Sequence, residues 1–220
     1  MQSIVIIGSS GHAKVVIDVA EKAGGFRVVG LIDDFRKTGE ATLGYEVLGG
    51  VADLPRLIAE HGIRGVVVAV GDNFLRGKLA EGIRSDAPGV AFPTLVHPAA
   101  SVGKDASIGE GAVLMAGAVV NPACRVGPFC ILNTNSSLDH DSVMEQYASL
   151  APRACTGGNT FIGPYAAVGI GATLLHGVRV GAHSVIGAGA TVLEDVKDHT
   201  VALGTPAKAV KTRKVGERYL

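Results

Sequence analysis

A six-residue repeat fills the second half of the chain and limits the folds that it can adopt. Every sixth residue from Val96 to Val192 is aliphatic or methionine, with Thr156 as the one exception. The residue two positions earlier in each unit is almost always small, and glycine often follows the aliphatic residue, as at Gly103 and Gly127. A helix of 3.6 residues per turn does not produce this period.

The repeat predicts short strands that turn a corner every six residues and stack coil upon coil, about 4.8 Å apart. The aliphatic and small residues point inward, and we expect the glycines at corners that need unusual dihedrals. Cys124 and Cys130 fall at small inward positions, so they are predicted to fill the core. An accidental period in a β-sandwich is disfavoured, because the phase holds from residue 96 to residue 192 without an insertion.

Residues 1–93 alternate strand-like and helix-like segments instead. An apolar strand at 3–7 precedes the glycine turn 8–11 and a helical pattern at 12–22. Further strands are predicted at 27–32 and 65–70, and helices at 53–61 and 73–83. This alternation predicts a small Rossmann-like α/β domain at 1–93, followed by the repeat domain at 94–220.

The carboxyl ends of such strands form a ligand crevice, where the first N–H groups of a helix favour phosphate. Ser10 and Ala13 replace two glycines of G-x-G-x-x-G, which disfavours an NAD oxidoreductase. Asp33 and Asp34 end the second predicted strand, where carboxylates accept hydrogen bonds from a base or ribose; simple solvation is the alternative. Residues 71–73 follow the third strand at the same edge.

Charge and cysteine usage exclude several other classes. Lysine plus arginine and aspartate plus glutamate both number 20, so we expect neither nucleic acid nor an anionic membrane as a partner. The first residues carry no signal-peptide pattern and no membrane-length apolar run, which predicts a cytoplasmic protein. Cys124, Cys130 and Cys155 lack C-x-x-C spacing, which favours free thiols and no metal.

The repeat and the segment 204–208, Gly-Thr-Pro-Ala-Lys, resemble the hexapeptide-repeat acyltransferases. That resemblance implies a left-handed parallel β-helix, a homotrimer and acetyl-CoA bound between neighbouring helices. With residues 8–16 and the Asp33-Asp34 pair, the chain is similar to bacterial sugar O- and N-acetyltransferases. These include the sialic acid O-acetyltransferase type and the N-acetyltransferases of UDP-bacillosamine and GDP-perosamine type, whose first domain holds the nucleotide.

His140 stands out among the seven histidines because acids flank it, and a neighbouring carboxylate raises the basicity of imidazole. Residues 132–141 resemble the family's catalytic segment. The resemblance implies that His140 is the general base, that Asp141 tunes it and that Asn133 lies in the active site. Some relatives have a second histidine near the acetyl group, where this chain has Ser149.

The donor to the thioester oxygen is therefore open, and a backbone N–H at Gly157 or Gly158 is the candidate. The resemblance also implies which residues of the chain bind each of the two substrates. On the nucleotide side these are Ser10, Gly11, His12, Asp33 and Asp34. On the acetyl-CoA side they are Ser149, Gly169, Ile170, Gly171, Ala188, Pro206 and Lys208, with Lys211 or Arg213 near phosphate; for the glycines, a purely structural role at a corner is the alternative.

The resemblance implies acetyl transfer from acetyl-CoA to the 4-amino group of a nucleotide-linked 4-amino-4,6-dideoxy sugar, without a covalent acyl-enzyme. Sialic acid O-acetylation is the alternative, and UDP, GDP and CMP all stay open as nucleotides. A γ-carbonic-anhydrase-like zinc lyase is a different class, since His140 and His176 share a phase two coils apart, about 10 Å by strand spacing. A nonenzymatic scaffold or sugar-binding module is the third class of protein that the sequence leaves open.

Overall fold

The computed structural model describes residues 1–219, and it begins with a parallel α/β layer. Its elements are β1 (Gln2–Ile7), α1 (Gly11–Ala23), β2 (Phe26–Ile32), β3 (Ala41–Thr42), β4 (Tyr45–Gly49), α2 (Leu54–His61), β5 (Gly65–Val68) and α3 (Asn73–Asp86). The sheet order is β3-β4-β2-β1-β5, with β1 parallel to β2 and β5. The predicted alternation is confirmed, but the antiparallel β3–β4 hairpin was not predicted.

Strand β1 is a continuous apolar run because helices cover both faces of the sheet. Ile4 and Ile6 pack under α1, whereas Val5 and Ile7 face the core that α2 and α3 complete. The carboxyl ends of β1, β2 and β5 therefore meet at one edge, beside the start of α1.

Two-residue strands then wind into a left-handed β-helix with three flat faces, as predicted. They are β6 (Leu95–Val96), β7 (Ser101–Val102), β8 (Ser107–Ile108), β9 (Val113–Leu114), β10 (Val119–Val120), β11 (Arg125–Val126), β12 (Ile131–Leu132), β13 (Ser137–Leu138), β14 (Val143–Met144), β15 (Ser149–Leu150), β16 (Cys155–Thr156), β17 (Phe161–Ile162), β18 (Ala167–Val168), β19 (Thr173–Leu174), β20 (Arg179–Val180), β21 (Val185–Ile186) and β22 (Thr191–Val192). Each strand pairs in parallel with strands one coil away, as Val119 pairs with Ser137.

We name the three faces by their strands. The first face contains β6, β9, β12, β15, β18 and β21, the second contains β7, β10, β13, β16, β19 and β22, and the third contains β8, β11, β14, β17 and β20. The aliphatic and small residues of the repeat fill the interior, and both Cys124 and Cys130 are buried there as free thiols. Both predictions for the interior are confirmed.

The glycines that follow the inward aliphatic residues do not have the unusual dihedrals that we predicted for them, so that prediction was wrong. Gly103 and Gly127 do not have positive φ; a Cβ on them would lie 2.5 Å from Pro122 N and 2.7 Å from Gln146 N of the next coil. These glycines therefore permit close stacking of coils. The left-handed conformation falls three residues after the inward aliphatic residue, as at Asp141 with φ 58°.

A column of stacked rings joins the β-helix to the α/β layer. This aromatic stack runs along the corner between the third and first faces and consists of Phe129, Tyr147, Tyr165, His183 and His199, with adjacent centroids 4.7–5.3 Å apart. Helix α3 packs against the stack so closely that a Cβ on Gly77 would lie 2.7 Å from the Tyr165 ring. Helix α1 covers Leu95, Val113 and Ile131 of the first face.

After the β-helix, an antiparallel pair, β23 (Thr200–Leu203) and β24 (Lys208–Thr212), extends the first face. The following segment returns toward α3. Arg213 is buried and donates to the carbonyls of His183 and Glu217, and the Tyr219 hydroxyl accepts a hydrogen bond from Asn73 N at 3.2 Å. Between residues 1 and 219, no helix is long and apolar enough to cross a membrane.

Candidate active site

A cleft of about 410 Å³ lies between the first face of the β-helix and the α/β layer. Its floor is formed by the outward side chains of the first face, and its outer wall by the corner that leads to the second face. The lining residues are His12, Gly71, Ile131, Asn133, Ser149, Leu150, Ala151, Pro152, Ala167, Val168, Gly169, Ile170, Val185, Ile186, Gly187, Ala188 and Tyr219. Most of this lining is apolar.

The polar side chains of the cleft are four: His12, Asn133, Ser149 and Tyr219. His12 comes from the first turn of α1, and its Nε2 is buried without a hydrogen-bond partner. Burial, and then the charge of Arg76, lower the pKa of His12 to about 4, so the imidazole is neutral at neutral pH. An unpaired buried nitrogen costs free energy, which a polar ligand atom in the cleft would offset.

Arg76 of α3 is fully buried between this helix and the corner that joins the third and first faces. Its guanidinium donates to the carbonyls of Phe129, Tyr147, Val70 and Gly71 and to the side-chain oxygen of Asn73. All five acceptors are neutral, and burial lowers the pKa of Arg76. The arginine thus ties α3 to two coils of the β-helix and leaves positive charge near the cleft.

The predicted general base, His140, lies on the corner between the second and third faces. Its Nδ1 is 2.7 Å from Asp141 Oδ2, and this hydrogen bond raises the pKa of His140. Asp139 accepts from Asn121 Nδ2 and from the His140 backbone N–H, while Thr156 Oγ1 accepts from the Asp139 N–H. Thr156, the exception in the repeat, therefore fixes the segment that presents His140.

Gly158 provides the space for the His140 ring. A Cβ at Gly158 would lie 2.5 Å from both Cε1 and Nε2 of His140. The ring consequently lies over the next coil, and its centroid is 6.2 Å from that of His176, closer than the 10 Å expected from strand spacing alone. In the part of the chain that the structure describes, no three His, Cys, Asp or Glu side chains group as metal ligands.

The cleft brings together predicted residues from both substrate sides. His12, Asn133, Ser149, Gly169, Ile170 and Ala188 line it, whereas Gly171, Pro206 and Lys208 do not. His140 and Asp141 are also outside the cleft of their own chain, because they occupy a different corner of the prism. The predicted catalytic residues are therefore divided between two surfaces of one chain.

The crevice of the α/β layer contains the remaining nucleotide-side residues. Ser10 precedes α1 and makes no side-chain cap, and α1 has no acidic residue in its first turn. Asp33 accepts from the hydroxyl of Ser9 and from Phe35 N, and Asp34 accepts from Val51 N at 2.8 Å. Gly11 has open space around it.

Three groups that the sequence offered as donors to the thioester oxygen or to phosphate already have hydrogen-bond partners within the protein. The Gly157 N–H donates to the Leu174 carbonyl and is not free for a thioester oxygen, so of the two predicted backbone donors the Gly158 N–H stays the candidate. Arg213 is buried against backbone carbonyls, and Lys211 pairs with Glu217 at 2.6 Å, so neither is a free cation for phosphate. Sequence reasoning missed Arg76 and Tyr219, which no local motif marks.

Comparisons with known proteins agree with this architecture. Residues 3–83 match the PglD N-terminal domain, and residues 159–194 match the bacterial transferase hexapeptide of six repeats. A histidine-to-asparagine variant of perosamine N-acetyltransferase from Caulobacter crescentus, solved with CoA and GDP-perosamine, is 36% identical with a TM-score of 0.90. That match covers 96% of this chain and 98% of the other.

Two further relatives are similar. The acetyltransferase domain of PglB from Neisseria gonorrhoeae FA1090, in complex with acetyl coenzyme A, is 34% identical with a TM-score of 0.86, over 95% of this chain and 99% of that one. UDP-N-acetylbacillosamine N-acetyltransferase from Bacillus subtilis (strain 168) is 37% identical over 112 residues, 48% of each chain. The latter match therefore spans about half the length of that curated relative.

The fold and the site define a hexapeptide-repeat acyltransferase with an added α/β layer. More specifically, the chain belongs to the bacterial family of sugar acetyltransferases that contains the perosamine and bacillosamine N-acetyltransferases.

Proposed function

We propose that the protein transfers acetyl from acetyl-CoA to the 4-amino group of a nucleotide-linked 4-amino-4,6-dideoxy sugar, with UDP or GDP as the nucleotide. The observation that carries this proposal is the exposed His140–Asp141 pair, held over Gly158 on the β-helix edge. Relatives that match nearly the whole chain are described with CoA, acetyl-CoA or GDP-perosamine bound, which supports the substrate classes.

The cleft suits the acyl donor. Its apolar stretch, which includes Gly169, Ile170 and Ala188, fits the uncharged pantetheine arm, and its polar end fits the thioester. Gly171, Pro206 and Lys208 lie on later coils or on the final hairpin, where we propose that they contact the outer part of CoA, with Lys208 supplying positive charge.

The α/β crevice suits the nucleotide. The uncapped start of α1, at Ser10 and Gly11, offers backbone N–H groups to a diphosphate. Asp33 and Asp34 stand at the end of β2, where they accept hydrogen bonds from ribose or base. His12 follows Gly11 in α1, and its side chain lines the cleft. A sugar attached to the diphosphate would therefore extend along α1 toward the thioester.

A second copy of the chain completes the site. One chain holds its cleft on the first face and its His140 on the opposite corner, so a neighbouring chain must bring its own His140 to the cleft. Three prism-shaped chains arranged by a cyclic threefold axis meet this requirement with equivalent contacts. We therefore propose a homotrimer with three active sites between chains.

Proton transfer follows from the geometry of the pair. The free Nε2 of His140 accepts a proton from the attacking amine, while Asp141 orients the ring and stabilises the imidazolium. The amine nitrogen bonds to the thioester carbon, the tetrahedral intermediate collapses, and the C–S bond breaks to release CoA thiolate. The proton on His140 then passes to the thiolate, so no covalent acyl-enzyme forms.

The test supplies acetyl-CoA with UDP- or GDP-linked 4-amino-4,6-dideoxy sugars and follows thiol release and product mass. We expect acetylated sugar from the wild type, and a turnover about 10²–10⁴ lower for His140→Ala with an unchanged thermal midpoint. His61→Ala, an exposed histidine at the end of α2, is the matched control. Acetylation of hydroxyl sugars alone, or normal turnover without His140, would refute the proposal.

A further inference from the structure

Two histidines lie on the same edge of the β-helix, and the proposed reaction uses only one of them. His140 and His176 are both on the corner between the second and third faces, two coils apart, with Gly158 between them. Because Gly158 has no side chain, the two rings approach to a centroid distance of 6.2 Å, at an interplanar angle of 47°. The edge therefore carries a pair of neighbouring imidazoles rather than an isolated base.

The His140 ring points toward His176. Its Nδ1 is held by Asp141, whereas Cε1 and Nε2 lie over Gly158, where an added Cβ would be 2.5 Å from both atoms. His176 is exposed, and its ring takes part in no hydrogen bond within residues 1–219. The nitrogen of His140 that accepts the amine proton thus faces a second imidazole. Nitrogens so placed can exchange a proton directly or through one water.

Asp139 supplies negative charge close to both rings. The backbone N–H of His140 does most to lower the pKa of this carboxyl, and a hydrogen bond from Asn121 and the charges of His140 and His176 lower it further. A carboxylate in that position favours a proton on either imidazole. A proton can therefore move from one ring to the other while the same negative charge stabilises it.

The cleft extends in the same direction as the step from His140 to His176. Helix α1 covers the first face as far as Ile131, so the cleft opens from Ser149 toward Val185, on later coils. In a cyclic trimer whose threefold axis follows the β-helix, neighbouring chains meet coil against coil. The neighbour's His140 then faces the covered end of the cleft, and its His176 lies two coils further along the pantetheine arm.

The same edge also offers apolar surface for this arm. Leu175 precedes His176, and Leu193 occupies the equivalent position one coil later; the two side chains are 52% and 49% exposed. Covering them with an uncharged chain removes apolar surface from water, which is favourable. The thioester sulfur joins the acetyl group to the arm, so it lies between the level of His140 and these leucines, on the side where His176 stands.

We propose that His176 carries the proton from His140 to the departing CoA thiolate. This inference rests on the proposed acetyl transfer and its shared site. His140 Nε2 takes the amine proton as the N–C bond forms. When the C–S bond breaks, its electron pair goes to sulfur; one nitrogen of His176 gives its proton to that sulfur while the other accepts the proton held by His140. Both imidazoles end neutral, the products are the amide and CoA thiol, and His176 is a catalytic residue.

The test compares His176→Ala and His176→Gln with Lys104→Ala, an exposed position on the same edge, two coils from His140 in the opposite direction. We expect His176→Ala to lower kcat about 10–100-fold, with little change in KM for acetyl-CoA. His176→Gln retains a hydrogen-bond donor but cannot relay a proton, so it should be as slow as His176→Ala. Added imidazole should restore part of the rate of His176→Ala, and Lys104→Ala should match the wild type.

The outcomes separate this inference from the function on which it rests. If the wild type acetylates no nucleotide-linked amino sugar, the proposed function fails and the inference fails with it. If the wild type is active, a normal kcat for His176→Ala refutes the role of His176 and leaves the proposed function standing. Full activity of His176→Gln, a change confined to KM, or no rescue by imidazole would also overturn the relay. Thermal midpoints near that of the wild type assign the losses to catalysis rather than to folding.

Discussion

Gly158→Ala tests whether the position of the His140 ring, and not merely its presence, sets the rate. The added Cβ would lie 2.5 Å from Cε1 and Nε2, whereas ordinary van der Waals contact begins at 3.4 Å. Those atoms are the exposed end of a side chain, so the ring moves by about 1 Å rather than the backbone. Gly158 does not have positive φ, so alanine adds no backbone strain.

A displacement of about 1 Å in a reacting group can cost on the order of 10²-fold in rate, so we expect kcat to fall about 10–100-fold. The thermal midpoint should stay near that of the wild type. The acid limb of the kcat profile should move to lower pH, because the displaced ring loses its 2.7 Å contact with Asp141. Steady-state thiol release across pH, together with thermal melting, measures all three quantities.

Gly82→Ala is the matched control, since a Cβ on this α3 glycine meets no atom within 4 Å. It should leave kcat unchanged and slightly raise stability through helix propensity. If Gly158→Ala retains both wild-type turnover and the wild-type acid limb, the ring position does not govern the reaction and the reasoning is refuted.

Three further changes test other parts of the structure. Asp141→Asn should lower the pKa of His140, so activity that depends on the neutral imidazole should persist to lower pH than in the wild type, which a kcat profile measures. His12 is neutral in the fold down to about pH 4 but titrates near 6.5 when unfolded, so the free energy of unfolding should fall by up to about 3 kcal/mol as pH drops through this range. Denaturant titrations should show this slope reduced in His12→Asn. Gly77→Ala should destabilise the protein by about 1–3 kcal/mol, because Tyr165 is stacked on both sides and cannot move away; an unchanged thermal midpoint would contradict this.

The β-helix could be predicted because its signal is local and repeated. Each six-residue unit places its own inward residue, so the period is visible without knowing any distant contact. The left-handed corners were less visible, because Asn135, Asp141, Tyr147 and His183 occupy them rather than glycine. Stacking of successive rings holds the aromatic corners in place, and stacking depends on the finished coils.

The interior of the site was harder to predict. Tyr219 contacts Asn73 across 146 positions of the chain, and Arg76 contacts Tyr147 across 71. Neither belongs to a motif, so no spacing in the sequence relates these partners. His140 and Asn133 could be named from the resemblance, but only the prism geometry separates them onto different surfaces. That separation is the reason for proposing a site shared between chains.

The winding of the chain also limits how its length can change. Six residues carry the chain through a third of a turn of the β-helix. A deletion of six residues between Ile131, the last residue that α1 covers on the first face, and His140 would therefore keep every inward side chain in register. It would nevertheless move His140 to another edge of the prism. Only gains or losses of a whole coil would return the imidazole to its edge, one level higher or lower. Homologues that differ in length within this region should therefore differ in steps of about eighteen residues.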